Sequence, residues 1–244
     1  IRFPEDKATR DRLIRTVDRL RENRVVPRGM LLNEQGTMDG LPASEVSKLE
    51  QELDDCVFDT YHLSLPERDL IRDMCSIGLD LFYRHSQSQA VKRLSIPEDF
   101  GCGLSSDVDD SAAENDLAAY LRSLLHTWNE QLRPNGQFSW QVVRPGLFGP
   151  MIAVVLSTRS NEDRQPVADL SDRLEWSTLM RRLDESCLQH DGSRRVYIDG
   201  VVRAVGENEV IIIKRNERRL WTASMAREDA EATIKQAIEL QEQQ

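Results

Sequence analysis

The sequence predicts an α+β protein, with an N-terminal helical hairpin region followed by a small mixed or antiparallel sheet with packed helices. Three observations carry that expectation. Through the first half of the chain apolar residues recur at three- and four-residue steps, the spacing that lines one face of a helix. After Gly136 the period becomes that of extended strands, first in Phe138-Ser-Trp-Gln-Val-Val143 and then in Met151-Ile-Ala-Val-Val-Leu156. From residue 117 onward the order reads helix, two strands, helix, two strands, helix, and one sheet with helices against it is the economical way to bury those faces.

The first helix is expected over 6–23, with Leu13, Ile14, Val17 and Leu20 on its apolar face. Its other faces carry Arg10, Arg12, Arg15, Arg19, Arg21 and Arg24 against Asp11, Asp18 and Glu22. That surface either lies along a phosphate backbone or is a solvated face with ion pairs such as Asp11 with Arg15. Residues 24–43 hold Pro27, Gly29, Gly36, Gly40 and Pro42 and read as a connecting loop. A helical pair follows. Val46, Leu49, Leu53, Cys56 and Val57 line its first member, and the second restarts at Ser64, where Ser64 and Glu67 form a capping box and Pro66 sits in the first turn. Leu70, Ile71, Met74, Ile77, Leu81 and Phe82 continue the second apolar stripe.

Between 85 and 116 the chain turns polar and acidic, with Glu98, Asp99, Asp107, Asp109, Asp110, Glu114 and Asp116. The expected organisation is a helical region over 1–94, an acidic linker over 95–116 and an α+β domain over 117–244. Leu117, Tyr120, Leu121, Leu124, Leu125 and Trp128 mark the helix that opens this domain, and Arg133-Pro-Asn-Gly136 ends it. The two strands on either side of Pro145, Gly146, Gly149 and Pro150 are expected to be antiparallel neighbours. A helix over 170–188 presents Leu174, Leu179, Leu183 and Cys187. Strands over 195–205 and 209–214 follow, and the unbroken Val210-Ile-Ile-Ile213 reads as a strand buried on both faces. The last helix, over 224–239, carries Ala226, Ala230, Ile234, Ala237 and Ile238.

At 244 residues, 39% hydrophobic and 30% charged, the chain can bury a sizeable core and reads as soluble and cytoplasmic. It holds no apolar run of about 18 residues, so no membrane partner is expected. It begins at Ile1 without Met or an apolar signal segment, and the expectation is a piece of a longer protein. Cys56, Cys75, Cys102 and Cys187 lack the C-x-x-C spacing of a zinc site, and the three on expected helices, Cys56, Cys75 and Cys187, read as reduced, small apolar core residues. His62, His85, His126 and His190 are scattered, so no metal site is expected. The formal charge of −10 argues against wholesale wrapping of nucleic acid, although a binding face needs only a local basic cluster.

The segment Leu53-Asp-Asp-Cys-Val-Phe-Asp-Thr-Tyr-His-Leu-Ser-Leu-Pro-Glu67, running on to Ile77-Gly-Leu-Asp-Leu-Phe-Tyr83, resembles the end of the target-recognition region in adenine-N6 DNA methyltransferases of bacterial restriction–modification and phage-defence systems. The matching residues are Leu53, Asp54, Val57, Phe58, Tyr61, Leu63, Ser64 and Glu67. Thr60 stands where that pattern has Leu, and His62 where it has Gly. A second stretch, Val210-Ile-Ile-Ile-Lys-x5-Leu-Trp-Thr-x-Ser-x-Ala-x-x-Asp-Ala230, looks like the extreme C-terminus of such methyltransferase-like proteins. The resemblance implies a non-catalytic region lying beside a catalytic domain upstream of Ile1.

The chain itself carries neither half of methyl-transfer chemistry. Asp99-Phe-Gly-Cys-Gly103 mimics the D-x-G-x-G loop that cradles S-adenosylmethionine, but Arg93-Leu-Ser-Ile-Pro-Glu98 before it is polar and proline-broken where a buried strand is needed. No two prolines are adjacent, so an Asn-Pro-Pro-Tyr loop to hold a flipped adenine is missing. Glu207 or Glu209 with Lys214 is the nearest approach to a nuclease motif, and its spacing breaks the required alternation. No catalytic residue and no cofactor are therefore expected in this chain.

The favoured contact site is Lys214-Arg-Asn-Glu-Arg-Arg-Leu-Trp221. Lys214, Arg215, Arg218 and Arg219 form a cluster suited to phosphates, and Trp221 either stacks on an unstacked base or braces the loop and anchors the last helix. The expected function is a DNA-contacting or subunit-docking region of a methyltransferase-like defence protein. The alternative is a protein–protein interaction module of a multi-subunit defence complex without direct DNA contact.

Overall fold

The computed structural model describes residues 4–24, 42–97, 100–104, 108, 116–132, 136–146, 149–160, 175–189, 200–206 and 208–242. Two compact units divide at Arg68 and Asp69. The expectations for the loop over 24–43, for the first part of the 170–188 helix and for a strand beginning at 195 fall largely outside these residues.

The first unit is built on a pair of helices, α1 (Lys7–Arg24) and α2 (Ala43–Thr60). Leu49, Cys56 and Phe58 are buried, as is Thr16, whose hydroxyl returns to the Arg12 carbonyl. The arginines of α1 turn partly toward the acids of α2. Arg12 Nε lies 2.9 Å from Glu52, and Arg19 pairs with Glu45, so these ion pairs run between the two helices, while Arg15 Nε donates to the Asp11 backbone carbonyl. The end of α2 explains an oddity of the sequence. Leu63 N–H donates to the Phe58 carbonyl and His62 N–H to that of Asp59, the paired bonds that close a helix through one left-handed residue. That residue is His62, with φ of 55°, and glycine is the usual occupant of such a position because a Cβ is strained there.

The next helix, α3 (Leu65–Asp73), starts on the predicted capping box. Glu67 accepts from both the Ser64 amide and hydroxyl, at 2.8 and 2.7 Å, which holds its carboxyl below the usual range. A π-turn, Met74–Gly78, then joins α3 to α4 (Leu79–Arg84).

The second unit is organised by a five-stranded antiparallel sheet in the order β1-β2-β3-β5-β4. Its strands are β1 (Cys102–Leu104), β2 (Gly136–Val143), β3 (Met151–Ser160), β4 (Val201–Val205) and β5 (Glu209–Arg215). One face is covered by α5 (Asp116–Leu132) and α7 (Ala223–Glu242), around Leu117, Leu121, Leu124, Trp140, Ile152 and Ile212. The other face packs Val155, Ile211 and Ile213 against Leu179 and Leu183 of α6 (Trp176–Gln189). The fold class is thus α+β, with antiparallel pairing throughout.

Part of the stretch expected as a linker is structural. Ile96, Phe100 and Val108 join the core, and β1 adds an edge strand, so the acidic composition of 95–116 concealed apolar anchors. Among the cysteines Cys56 is buried, with its thiol pushed up by burial, whereas Cys75 and Cys102 are exposed. That corrects the core reading for Cys75. Among the described residues no helix is long and apolar enough to cross a membrane.

Candidate functional site

β5 runs through the middle of the sheet, and its side chains alternate between the two helical layers. Val210 and Ile212 face α5 and α7, and Ile211 and Ile213 face α6. Lys214 is in register with Val210 and Ile212, so its side chain goes inward, where it is completely buried. The partner comes from α7, where Ala226, Asp229, Ala230 and Thr233 recur at three- and four-residue steps and form the buried face. Asp229 is the one carboxylate on that face.

The two meet in a dense polar cluster. Lys214 Nζ pairs with Asp229 Oδ2 and donates to the Leu220 carbonyl at 2.9 Å. It also lies 5.0 Å from the Tyr120 ring centre and 5.5 Å from that of Trp221, a cage of two aromatic faces around a desolvated ammonium. Tyr120 donates its hydroxyl to Asp229 Oδ2 at 2.5 Å, and Arg203 Nε donates to Oδ1 at 2.8 Å. Arg203 also reaches Glu228 at 3.2 Å, so two cations meet two carboxylates and the cluster is formally neutral. Burial pulls the Lys214 ammonium below its ordinary value, against the pull of Asp229. Burial, then the negative charge of Asp229, pushes the Tyr120 phenol well up.

Trp221 closes the cluster. It is fully buried, stacks edge-on to Tyr120 with ring centres 4.9 Å apart, and donates from Nε1 to the Arg215 carbonyl at 2.9 Å. The sequence expectation is therefore corrected for two of its five residues, because Lys214 and Trp221 brace the junction of β5 and α7 and present no surface to DNA. Arg215 stays exposed, Arg219 is partly so, and both share the carboxylate of Glu217 at 3.3 and 2.8 Å. Arg218 is half-buried, and its backbone N–H donates to the Lys92 carbonyl. The nuclease reading loses its lysine to Asp229, and Glu209 lies 3.6 Å from Arg182.

A second surface departs from the sequence expectation, which put Leu70, Met74 and Phe82 on one apolar stripe with Ile71, Ile77 and Leu81. In the second unit, Leu70, Met74, Leu79, Phe82 and Tyr83 are 59, 55, 45, 69 and 74% exposed. The reason lies in the π-turn. One extra residue in a turn shifts the helix face by about 100°. The residues turned inward before it are therefore Asp69 and Asp73, and after it Ile77 and Leu81. Asp69 binds Arg227 of α7 at 2.6 Å, and Asp73 accepts the Ser224 N–H at the start of that helix at 2.9 Å. Carboxylates hold α3 to the body, and the apolar side chains of the same turns face outward. A helix anchored by its acids and displaying Leu, Met, Phe and Tyr is the inverse of the usual arrangement.

The second glycine of the D-x-G-x-G mimic has a packing reason. A Cβ on Gly103 would stand 2.9 Å from Trp140 Cζ2, and the same indole donates Nε1–H to the Leu104 carbonyl at 3.0 Å, so Gly103 lets Trp140 lie across β1. No protein-family model matches this chain, and no curated protein or solved structure matches it either.

Proposed function

We propose that this chain is a subunit-docking region of a DNA adenine-N6 methyltransferase-like protein or defence complex, working through the exposed apolar surface of α3, the π-turn and α4. The observation that carries this reading is the inverted helix, with Asp69 and Asp73 bonded to α7 while Leu70, Met74, Phe82 and Tyr83 are exposed. Exposed contiguous apolar side chains are costly unless a partner covers them. The resemblance of Leu53–Glu67 and Val210–Ala230 to methyltransferase-like proteins supplies the kind of assembly.

The test is affinity purification of the tagged full chain from its own host, beside a Leu70→Asp/Phe82→Asp variant. A partner carrying a glycine-rich cofactor loop and an Asn-Pro-Pro-Tyr loop is expected with the wild type and lost with the variant. A monomeric wild-type chain without such a partner contradicts the reading.

A second reading keeps direct DNA contact through Arg215 and Arg219, which remain accessible beside the sealed Lys214. Replacing both by Ala is expected to lower the slope of log affinity against log salt by about 2, and an unchanged slope removes this reading.

A further inference from the structure

The exposed stripe of the second unit is complementary to itself. From Asp69 to Arg84 the chain is one helical run, since Asp73, Gly78 and Leu79 keep right-handed helical backbone where α3, the π-turn and α4 join. Along its outer side the side chains run large, small, large. Leu70 and Met74 come first, Cys75, Ser76 and Gly78 lie exposed in the middle, and Leu79, Phe82 and Tyr83 follow. A two-fold axis between Ser76 and Ile77, with two such helices antiparallel, sets Tyr83 of one copy over Leu70 of the other, Leu79 over Met74 and Gly78 over Cys75. The small residues meet at the axis, which lets the helices approach to the short end of the usual spacing of about 8–10 Å. Large residues then close both ends.

The rest of the face suits the same arrangement. Met74–Leu79 holds no charged residue. The cations bordering the stripe are matched within the chain, Arg72 with Asp69 at 3.6 Å and Arg84 with Asp80 at 3.3 Å, so two copies bring neutral pairs to the contact. Ser76 needs no partner across the interface, because its hydroxyl donates to the Arg72 carbonyl at 2.7 Å. The five large side chains, 45 to 74% exposed, offer on the order of 500 Å² of surface. Two copies therefore bury about 1,000 Å², the least that a specific interface needs. A pair of that size separates on dilution, and the separated chain is the one that exposes Cys75.

We propose that this face pairs with the same face of a second copy of the chain, antiparallel, about an axis beside Cys75 and Gly78. The proposal rests on the reading of this face as a docking surface and names its first occupant, so that a further subunit meets the pair.

The test is sedimentation equilibrium of the full chain over a range of concentrations, beside a Phe82→Asp variant. A dimer that dissociates on dilution is expected, and Phe82→Asp should weaken it about ten-fold or more while keeping the urea midpoint of the wild type. Both copies carry a formal charge of −10, so added salt should strengthen the pair by screening their repulsion. Orientation is read by mixing differently tagged Leu70→Cys and Tyr83→Cys chains, each also carrying Cys75→Ser, under mild oxidation. The mixed disulfide should form faster than either like-with-like disulfide, an order that a misfolded variant would not give. A monomer at every concentration, a dimer indifferent to Phe82→Asp, or Leu70→Cys chains that link fastest to themselves overturns the proposal. A monomeric chain whose cofactor-loop partner is lost in Leu70→Asp/Phe82→Asp would leave docking standing and remove only the second copy. A dimer through this face with no such partner would do the reverse.

Discussion

Two segments of this chain exchange the places that their compositions suggest. Lys214–Trp221 is the most basic stretch of the second half, yet its lysine and tryptophan are sealed inside. Leu70–Tyr83 is an apolar stretch, yet most of its large side chains face outward. The difference teaches that burial follows register and partner more closely than residue type. Lys214 goes inward because it alternates with Val210 and Ile212 and because Asp229 waits on the facing helix. Leu70 goes outward because Asp69 and Asp73 hold the other side of its helix.

The largest expected effect breaks the buried half of this comparison. Asp229→Ala removes the partner of Lys214, Arg203 and Tyr120 together and leaves a buried ammonium uncompensated, at a cost of about 3–5 kcal/mol in urea unfolding. Arg215→Ala, one residue from Lys214 but exposed, should stay within about 0.5 kcal/mol of the wild type. Equal effects would remove the distinction.

Next in size is the same contrast across the π-turn. Ile77→Ala should cost about 2–4 kcal/mol, because Ile77 is buried, whereas Phe82→Ser should leave the unfolding midpoint nearly unchanged. A destabilised Phe82→Ser chain would mean that this surface is core after all.

The cluster also predicts a pH dependence. The Tyr120 phenol keeps its proton in the folded state above its ordinary value of 10.0, while the unfolded chain loses it, so the stability it contributes is full below about pH 10 and is lost as pH rises further. Lys214, whose value is lowered, acts in the opposite sense as pH approaches 10.5. Tyr120→Phe should therefore lose less stability between pH 9 and 11 than the wild type, read as the change in urea midpoint. An identical slope in both chains would place the phenol in contact with solvent.

The smallest effect concerns the end of α2. His62→Gly should stabilise the chain by about 0.5–1 kcal/mol, because glycine adopts the positive φ without strain. No gain in the urea midpoint would mean that the imidazole makes up for the strain.

Much of this was legible in the sequence. The change of period after Gly136, the capping box at Ser64 and the doubly buried Val210–Ile213 were all read from local patterns, since strand alternation and helix capping are set within a few residues. The fate of Lys214 was legible too, because extending the alternation of Val210 and Ile212 by one step puts it inside, and Asp229 keeps step with Ala226 and Ala230. What hid it was the reading of a basic run as a surface. The outward turn of Leu70 and Met74 was not legible, because a single π-turn shifts the helical face and no propensity announces it.

If the α3–α4 face is the working surface and the charged cluster a structural brace, cysteine alkylation separates the two. Cys75 lies on the π-turn of that face, Cys56 is buried, and Cys102 is exposed on β1. In the free chain Cys75 and Cys102 should react with iodoacetamide far faster than Cys56, and in the purified assembly Cys75 should become protected while Cys102 stays reactive. A Cys75 as slow as Cys56 in the free chain, or as fast in the assembly as in the free chain, would contradict the account.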